Sequence, residues 1–294
     1  METVIISGKG GTGKSSIVSA FVSLAKNVVL ADCDVDAANM HIIFPAENKQ
    51  SEAFVGSQEA VIDHDLCNNC GLCINYCRFD ALHFVDERLV VLDIFCDGCG
   101  LCTRVCPNQA ISLKQNKKSA LHAGDFRYGR IVYGVLAPGE ENSGKLVSMV
   151  RQKATKIAAG KNLDIIVDGP PGIGCPVIAS ITGVDKTVII AEASLSGLHD
   201  LQRIWSLCQS FRLSTCVIIN KYDLNNEKSN EIEQFCMQHN IRLAGKLPFD
   251  PIIVDALVHC KSAVEWVPGS EIVSRIRNIY ERIFTCEPTP KSRL

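Results

Sequence analysis

Apolar runs of strand length alternate with longer stretches of helical period through most of the chain. Continuous apolar runs are typical of strands buried on both faces. Their alternation with helices predicts a doubly wound, mostly parallel α/β sheet, in which ligands bind at the carboxyl ends of the strands. The pattern is strand-like near 130–136, 186–191 and 241–247, and helical near 142–159, 197–210 and 227–239.

The last periodic stretch, residues 270–284, places isoleucines on one side and arginines between them. An apolar stripe at this spacing favours a closing helix that packs on the sheet. An amphipathic helix bound to a membrane surface is the alternative. The apolar positions are Ile272, Ile276, Ile279, Ile283 and Phe284.

Composition narrows the class of protein. The 294 residues are 47% hydrophobic, enough for a substantial core, and carry a net charge of -2, which gives no electrostatic footprint for nucleic acid. No stretch is apolar enough to span a bilayer, and the chain begins directly with a strand and a glycine loop rather than a signal peptide. We therefore expect a cytoplasmic protein with no nucleic-acid partner and no membrane association.

A glycine-rich loop, "GKGGTGKS", lies between the first apolar strand and a helical run, the context in which a phosphate-binding loop is reliable. Its backbone N–H groups are expected to bind phosphates, Lys14 to reach the β and γ oxygens, and Ser15 to hold Mg²⁺. The predicted nucleotide-binding residues of this loop are Gly8, Gly10, Gly11, Thr12, Gly13, Lys14, Ser15 and Ser16.

Polar residues follow later strands. In "VVLADCDVDAANM" a buried strand runs into Asp32 and Asp34, and in "NLDIIVDGPPG" Asp168 ends another strand, where a carboxylate can hold the water shell of magnesium. Asn220 ends the strand in "TCVIINKYD", and Pro248 follows a further one in "KLPFDP".

Lys9, directly after the first glycine of the loop, makes this a deviant Walker A motif, and the chain resembles the MinD/Mrp/ParA class of P-loop ATPases. The resemblance implies that Lys9 crosses a homodimer interface to the partner's ATP, and that Lys9, Lys14 and Asp34 are the catalytic residues. It implies that Asp34 orients or deprotonates the attacking water, and that Asp32 and Asp168 belong to the metal shell. By the same resemblance, Asn220 and Pro248 contact adenine.

Eight of the 15 cysteines form two runs with the spacing C-x2-C-x2-C-x3-C, repeated after 29 residues. This spacing is typical of cysteines that bind [4Fe-4S] clusters, and it favours a reducing compartment. Structural zinc is the alternative that paired C-x2-C motifs admit, but four cysteines within eleven residues fit it less well. The runs are Cys67, Cys70, Cys73, Cys77 and Cys96, Cys99, Cys102, Cys106.

Both runs closely resemble a two-cluster bacterial ferredoxin, in which the fourth cysteine of each run ligates the other cluster. The implied ligand sets are Cys67, Cys70, Cys73, Cys106 and Cys96, Cys99, Cys102, Cys77. We therefore predict an inserted α+β ferredoxin domain at 59–116, between two parts of the ATPase domain at 1–58 and 117–294. Because its first and last strands should pair, the insertion leaves the host intact. It follows the loop of Asp32 and Asp34, which resembles the family's switch I, and this position suggests coupling to ATP.

Together the resemblances imply a homodimeric ATPase that uses ATP, Mg²⁺ and two [4Fe-4S] clusters for redox or metal-cluster work. The task is metallocofactor maturation or electron delivery to an unidentified partner metalloprotein. The alternative is a MinD-like positioning or scaffold ATPase whose clusters are structural. Cys175, seven residues after Asp168, matches a cluster ligand of the related nitrogenase iron protein, so we predict either an interface metal site there or an ordinary core cysteine.

Overall fold

A computed structural model describes residues 1–284, so the last ten residues of the predicted second ATPase part lie outside the described residues. The strands are β1 Glu2–Ser7, β2 Val28–Asp32, β3 Glu47–Phe54, β4 Gln58–Ile62, β5 Leu82–Val85, β6 Arg88–Val91, β7 Ile111–Gln115, β8 Ser119–Phe126, β9 Gly129–Val135, β10 Ile165–Pro171, β11 Lys186–Glu192, β12 Thr215–Asn220 and β13 Arg242–Leu247. The helices are α1 Lys14–Ala25, α2 Met40–Ile43, α3 Leu72–Tyr76, α4 Leu101–Val105, α5 Ser143–Lys161, α6 Cys175–Ile181, α7 Leu195–Ser210, α8 Asn226–Gln238, α9 Pro251–Val258, α10 Ala263–Trp266 and α11 Glu271–Phe284.

A nine-stranded sheet forms the centre of the molecule, in the order β13-β12-β11-β1-β10-β2-β9-β8-β3. Neighbouring strands from β13 through β9 are parallel, and their apolar runs are buried on both faces. Strands β8 and β3 continue the sheet antiparallel at one edge. The predicted mostly parallel α/β sheet is confirmed.

Helices cover both faces of this sheet. Side chains of α5, α6, α7 and α8 form one apolar core, and those of α1, α9, α10 and α11 form the other. This placement is what a doubly wound sheet requires, because a sheet buried on both sides needs an amphipathic layer against each.

The last helix packs against the sheet, as its apolar stripe predicted. Ile272, Val273, Ile276, Ile279 and Ile283 are each at most 3% exposed and belong to the second core. Through residue 284, the structure contains no helix with the length and apolar character needed to cross a bilayer.

Residues 58–115 form a small substructure with its own core, which we call the cysteine module. Strands β4 and β7 pair antiparallel, β5 and β6 form a hairpin, and the short helices α3 and α4 follow the two cysteine loops. Its core includes Ala60, Leu82, Leu89 and Ile111, with cysteines packed against them. The pairing of first and last strands agrees with the prediction for this segment.

The module is connected to the host by strands that the sequence pattern did not predict. Strand β3 leads into it and β8 leads out, and the two pair with Phe54 opposite Ser119. The backbone of Asn116 also donates a hydrogen bond to the Ser57 carbonyl. The chain therefore enters and leaves the module at nearly the same point.

Candidate nucleotide site and cysteine-lined cavities

Five polar side chains lie at the carboxyl ends of adjacent parallel strands. Ser7 ends β1, Asp32 ends β2, Glu192 ends β11 and Asn220 ends β12, while Asp168 lies at the middle of β10, opposite Asp32. Because the strands are parallel neighbours, these residues gather at one edge of the sheet. The glycine loop between β1 and α1 lies at the same edge.

Lys14 lies at the centre of this group. Its Nζ is 2.5 Å from Asp168 Oδ1 and 3.5 Å from Asp34 Oδ2, and its side chain is only 6% exposed. Burial acts to lower the pKa of Lys14, but the nearby carboxylates outweigh it and raise the pKa. Asp168 also accepts a hydrogen bond from the Ser15 hydroxyl at 2.8 Å. The structure thus joins the loop lysine and serine to the strand-end aspartate predicted to lie near the metal.

Asp32 is fully buried and accepts backbone hydrogen bonds from Asp34, Asn39 and Met40, so it anchors the loop that carries Asp34. Burial and the neighbouring Asp168 carboxylate raise the pKa of Asp32 to about 8. Burial also raises the pKa of Asp34, although Lys14 opposes this effect. These raised pKa values reflect the crowding of three carboxyl groups around one ammonium, and a divalent cation bound here would favour their ionised forms.

A cavity of about 610 Å³ opens beside these groups. The glycine loop forms one wall, and an apolar wall comes from the β13–α9 region. Among the predicted residues, Gly8, Asp32 and Asp168 do not line the cavity. Gly8 packs against α7, where an added Cβ would lie 2.1 Å from Asp200 Cβ. The predicted residues that line it are Lys9, Gly10, Gly11, Thr12, Gly13, Lys14, Ser15, Ser16, Asp34, Asn220 and Pro248.

Asn220 connects this cavity to the loop. Its Nδ2 donates to the Thr12 carbonyl at 2.7 Å, and its Oδ1 is buried without a hydrogen-bond partner in the described residues. The side chain also requires a glycine at position 13, where φ is +87° and an added Cβ would lie 2.4 Å from Nδ2. A buried acceptor beside an apolar wall suits the amino group of an adenine base.

Lys9 makes contacts that the sequence did not reveal. Its Nζ lies 2.8 Å from Glu192 Oε2 and 2.9 Å from Ser196 Oγ. Glu192 is also paired with Lys221, which in turn donates to the Gly11 carbonyl. Burial acts to raise the pKa of Glu192, but the two lysines outweigh it and lower the pKa. The signal that could have identified Glu192 is its position directly after an apolar strand, as for Asp168 and Asn220.

The eight module cysteines line two separate small cavities. One is lined by Cys67, Cys70, Cys73 and Cys106, and the other by Cys77, Cys96, Cys99 and Cys102. Each cavity thus brings together three cysteines of one run and the last cysteine of the other, the grouping that the resemblance implied.

The module backbone also points N–H groups at cysteine sulfur atoms. The amides of Ala60, Ala81 and Ala110 lie 3.3–3.4 Å from the sulfur atoms of Cys96, Cys77 and Cys106, respectively. By contrast, burial raises the pKa of the module cysteines Cys73 and Cys102, the latter to about 11. Within residues 1–284, no group of three or more His, Cys, Asp or Glu side chains is arranged to hold a single metal ion.

Cys175 begins α6, directly after the "GPPGIG" loop, and is exposed. The alternative prediction, that Cys175 is an ordinary core cysteine, is therefore wrong for the described chain. By contrast, burial raises the pKa of Cys208, Cys216 and Cys236 to about 11 in the host core. These three behave as small apolar side chains.

Comparison with known proteins agrees with the fold of the nucleotide-binding host. Residues 3–261 match the family model "CobQ/CobB/MinD/ParA nucleotide binding domain". An uncharacterized protein of Methanocaldococcus jannaschii is 30% identical over 290 residues, covering 96% of each chain, and the septum site-determining protein MinD of Bacillus subtilis is 22% identical over 291 residues, covering 95% of this chain and 87% of that protein.

The structure of the septum site-determining protein MinD from Pyrococcus horikoshii, complexed with Mg-ADP, superimposes with a TM-score of 0.59 at 16% identity, covering 97% of this chain and 96% of that chain. At that identity the likeness concerns the fold. Because the family model spans most of the chain, from the first strand past α9, this protein belongs to the CobQ/CobB/MinD/ParA family of nucleotide-binding domains.

Proposed function

We propose that the protein is a homodimeric, MinD/ParA-like ATPase that couples ATP binding and hydrolysis to work by two [4Fe-4S] clusters. That work is metallocofactor maturation or electron delivery to a partner metalloprotein. The observation that carries the proposal is that one chain combines a P-loop cavity with two cavities, each lined by four cysteines in the ferredoxin grouping. Residues 59–116 serve as the electron-carrying domain, and the rest of the chain forms the ATPase domain.

The nucleotide half of the proposal assigns each strand-end residue a task. Lys14 binds the β and γ phosphates, and Ser15 ligates Mg²⁺, with Asp32 and Asp168 holding its water shell. Asp34 orients the attacking water, since it lies near Lys14 yet is less buried than Asp32. The crowding of three carboxyl groups around Lys14 supports a dication at this point.

The cluster half rests on the chemistry of the donors. Four thiolates are the usual ligand set of a [4Fe-4S] cluster, and N–H groups directed at sulfur stabilise its negative charge. When bound, such clusters supply one-electron transfer. The sets are Cys67, Cys70, Cys73, Cys106 and Cys77, Cys96, Cys99, Cys102.

The dimer is proposed from Lys9. In the monomer its ammonium lies at the rim of the cavity, 35% exposed, paired with Glu192 rather than buried. A lysine in that position can exchange an ion pair on its own chain for a phosphate on a second subunit. Cys175, exposed after the "GPPGIG" loop, would then occur in two copies at the interface as a transient metal or cluster site.

The proposal is tested by metal analysis of protein purified without oxygen. We expect about eight irons and eight sulfides per chain, and about half of the iron in Cys70→Ser or Cys99→Ser. Cys260→Ser replaces another exposed cysteine outside the module and should retain all the iron. Stoichiometric zinc without iron would contradict the cluster half, and absence of ATP hydrolysis by the iron-loaded protein would contradict the ATPase half.

A further inference from the structure

One segment of the host contacts both the nucleotide site and the cysteine module. It runs from Leu136, after β9, to Lys145 in the first turn of α5, and we call it the connecting segment. It contains most of the "GEENSGKLV" sequence at 139–147, to which the proposed function assigns no role.

On its host side, the connecting segment contacts two loops near Lys14: the loop that carries Asp34 and the "GPPGIG" loop that leads to Cys175. The Leu136 amide donates to the carbonyl of Val35 at 2.9 Å, and Val35 directly follows Asp34. At its other end, Gly144 lies against Cys175, since an added Cβ would be 3.4 Å from that residue's carbonyl. Both loops that face the proposed γ-phosphate position are therefore in contact with one ten-residue stretch.

On the other side, the same segment reaches the module and the chain that leads to it. Asn142 Nδ2 donates to the Gly56 carbonyl at 2.6 Å, where the chain enters the module, and the Ala137 amide donates to Ser119 Oγ at 2.9 Å, where it leaves. Gly139, with φ of +77°, lies so close to the module that an added Cβ would be 2.7 Å from the Ile94 carbonyl. Ile94 directly precedes Phe95 and Cys96, so the segment touches the neighbourhood of one cysteine-lined cavity.

The connecting segment also holds a polar group in an unfavourable position. Glu140 is 8% exposed, and both carboxylate oxygens are buried without a well-formed hydrogen bond in the described residues. Burial raises the pKa of Glu140, a contact with the Ser57 hydroxyl lowers it, Glu59 raises it and Lys118 lowers it. A buried carboxylate that is so poorly hydrogen-bonded is costly, so an arrangement that returns Glu140 to water competes with the one observed.

We propose that the connecting segment is the element through which nucleotide state and cluster state act on each other, by switching between the observed packing and one that releases Glu140. This inference rests on the proposed function for the chemistry of the two sites. A two-state element that contacts both sites is what allows one ligand to alter the affinity for another. The coupling therefore runs through two loops, the one that carries Asp34 and the "GPPGIG" loop before Cys175. The sequence suggested only the first of these, switch I.

The first test measures the affinity of the iron-loaded protein for a non-hydrolysable ATP analogue in the oxidised and dithionite-reduced states. We expect the two affinities to differ by about fivefold or more in the natural sequence. Asn142→Ala removes the bond to Gly56, and Gly139→Ala forces the segment away from Ile94, so each should bring the ratio close to one. Gly160→Ala, on the same helix α5 but with nothing within 4 Å of the added Cβ, should keep the natural ratio.

The second test does not depend on iron. We expect the ATP analogue to change amide hydrogen exchange at residues 92–98 of the module in the natural sequence and in Gly160→Ala, but not in Asn142→Ala. Unchanged exchange at 92–98 in the natural sequence, or an equal response in Asn142→Ala, would overturn the inference. Loss of the clusters alone would instead appear in the iron analysis and would leave this exchange response in place.

Discussion

Lys9 illustrates how the partner of a single side chain can decide between a monomer and the proposed dimer. In the structure Lys9 is held on its own chain by Glu192 and Ser196, in a network completed by Lys221. In the proposed dimer the same ammonium must leave these partners for the phosphates of the second subunit. Release of Lys9 from Glu192 therefore accompanies dimer formation, and an ion pair that is still partly open to solvent is modest enough in strength to permit it.

Replacement of Lys9 should separate dimer formation from nucleotide binding. We expect Lys9→Ala to bind ATP with nearly natural affinity but to lose ATP-dependent dimers and most hydrolysis, because the residue acts on the other subunit. Lys14→Ala should instead weaken ATP binding itself by at least tenfold, since its ammonium faces the phosphates of its own chain. Light scattering with and without ATP and a nucleotide titration distinguish the two. ATP-dependent dimers of Lys9→Ala would refute the role given to Lys9.

Glu265 provides a prediction about stability. It accepts two hydrogen bonds from Arg127, at 2.5 and 2.9 Å, and also caps α10 together with Ser262. Burial acts to raise its pKa, but Arg127 and the Ser262 amide outweigh it and lower the pKa below its usual 4.5. We expect Glu265→Gln to reduce the free energy of unfolding by about 1 to 2 kcal/mol at pH 7, a range that allows for the partly exposed guanidinium.

The pH dependence follows from the direction of that shift. A depressed folded-state pKa stabilises the protein above the unfolded pKa, and this stabilisation is lost as the pH falls through the folded value. The difference in free energy of unfolding between the natural protein and Glu265→Gln, measured with a denaturant, should therefore be largest at neutral pH and disappear in acid. Glu271→Gln, whose ion pair with Arg275 is exposed, is the control and should change stability by less than about 0.5 kcal/mol. Equal losses in the two variants would contradict the prediction.

Among the residues of the site, sequence position identified those that end apolar strands. Asp32, Asp168 and Asn220 could be located because parallel strands bring their carboxyl ends together. The pairing of Lys9 with Glu192 could not, since it joins positions 183 residues apart through side chains whose partners depend on the fold. The unpartnered carboxylate of Glu140 was equally invisible, because burial of a polar loop residue has no local sequence signal.

At the scale of elements, apolar periodicity predicted the helices and strands that bury a whole face. It missed β3, whose first seven residues are exposed, because an edge strand with one hydrogen-bonded neighbour needs no apolar alternation. The closing helix α11 was predictable for the opposite reason, since its stripe of isoleucines matches the helical period.

Truncation of one isoleucine in the stripe of α11 should show how much this helix contributes to the stability of the protein. We expect Ile276→Ala, at a side chain only 1% exposed, to lower the free energy of unfolding by about 2 to 5 kcal/mol, because it leaves a cavity in the core. Val258→Ala removes a side chain that is 74% exposed and should cost less than about 0.5 kcal/mol. Chemical denaturation of both variants checks the prediction, and a small loss for Ile276→Ala would mean that α11 packs loosely.

At the scale of the whole molecule, the proposed domain division can be tested by removing the module. Because Ser57 and Asn116 are hydrogen-bonded to each other, an Asn-Gly turn between them should replace residues 58–115. We expect the shortened chain to unfold cooperatively and to bind ATP within about fivefold of the affinity of the intact, oxidised protein. Circular dichroism and nucleotide titration are the measurements. An insoluble or non-binding product would show that the host needs the module to fold.

The pairing of Phe54 with Ser119 also bears on the order in which the chain folds. If β3 and β8 met first, they would have to close a flexible loop of about 60 residues, and each doubling of loop length adds about 0.6 kcal/mol of entropic cost. If the cysteine module forms first, its own ends draw together and only a few flexible residues remain to be closed, which recovers about 2 kcal/mol. Prior folding of the module, aided by any metal that it binds, would then speed formation of the host sheet edge. Iron supply would in that case influence how fast this ATPase matures, besides what it does once folded.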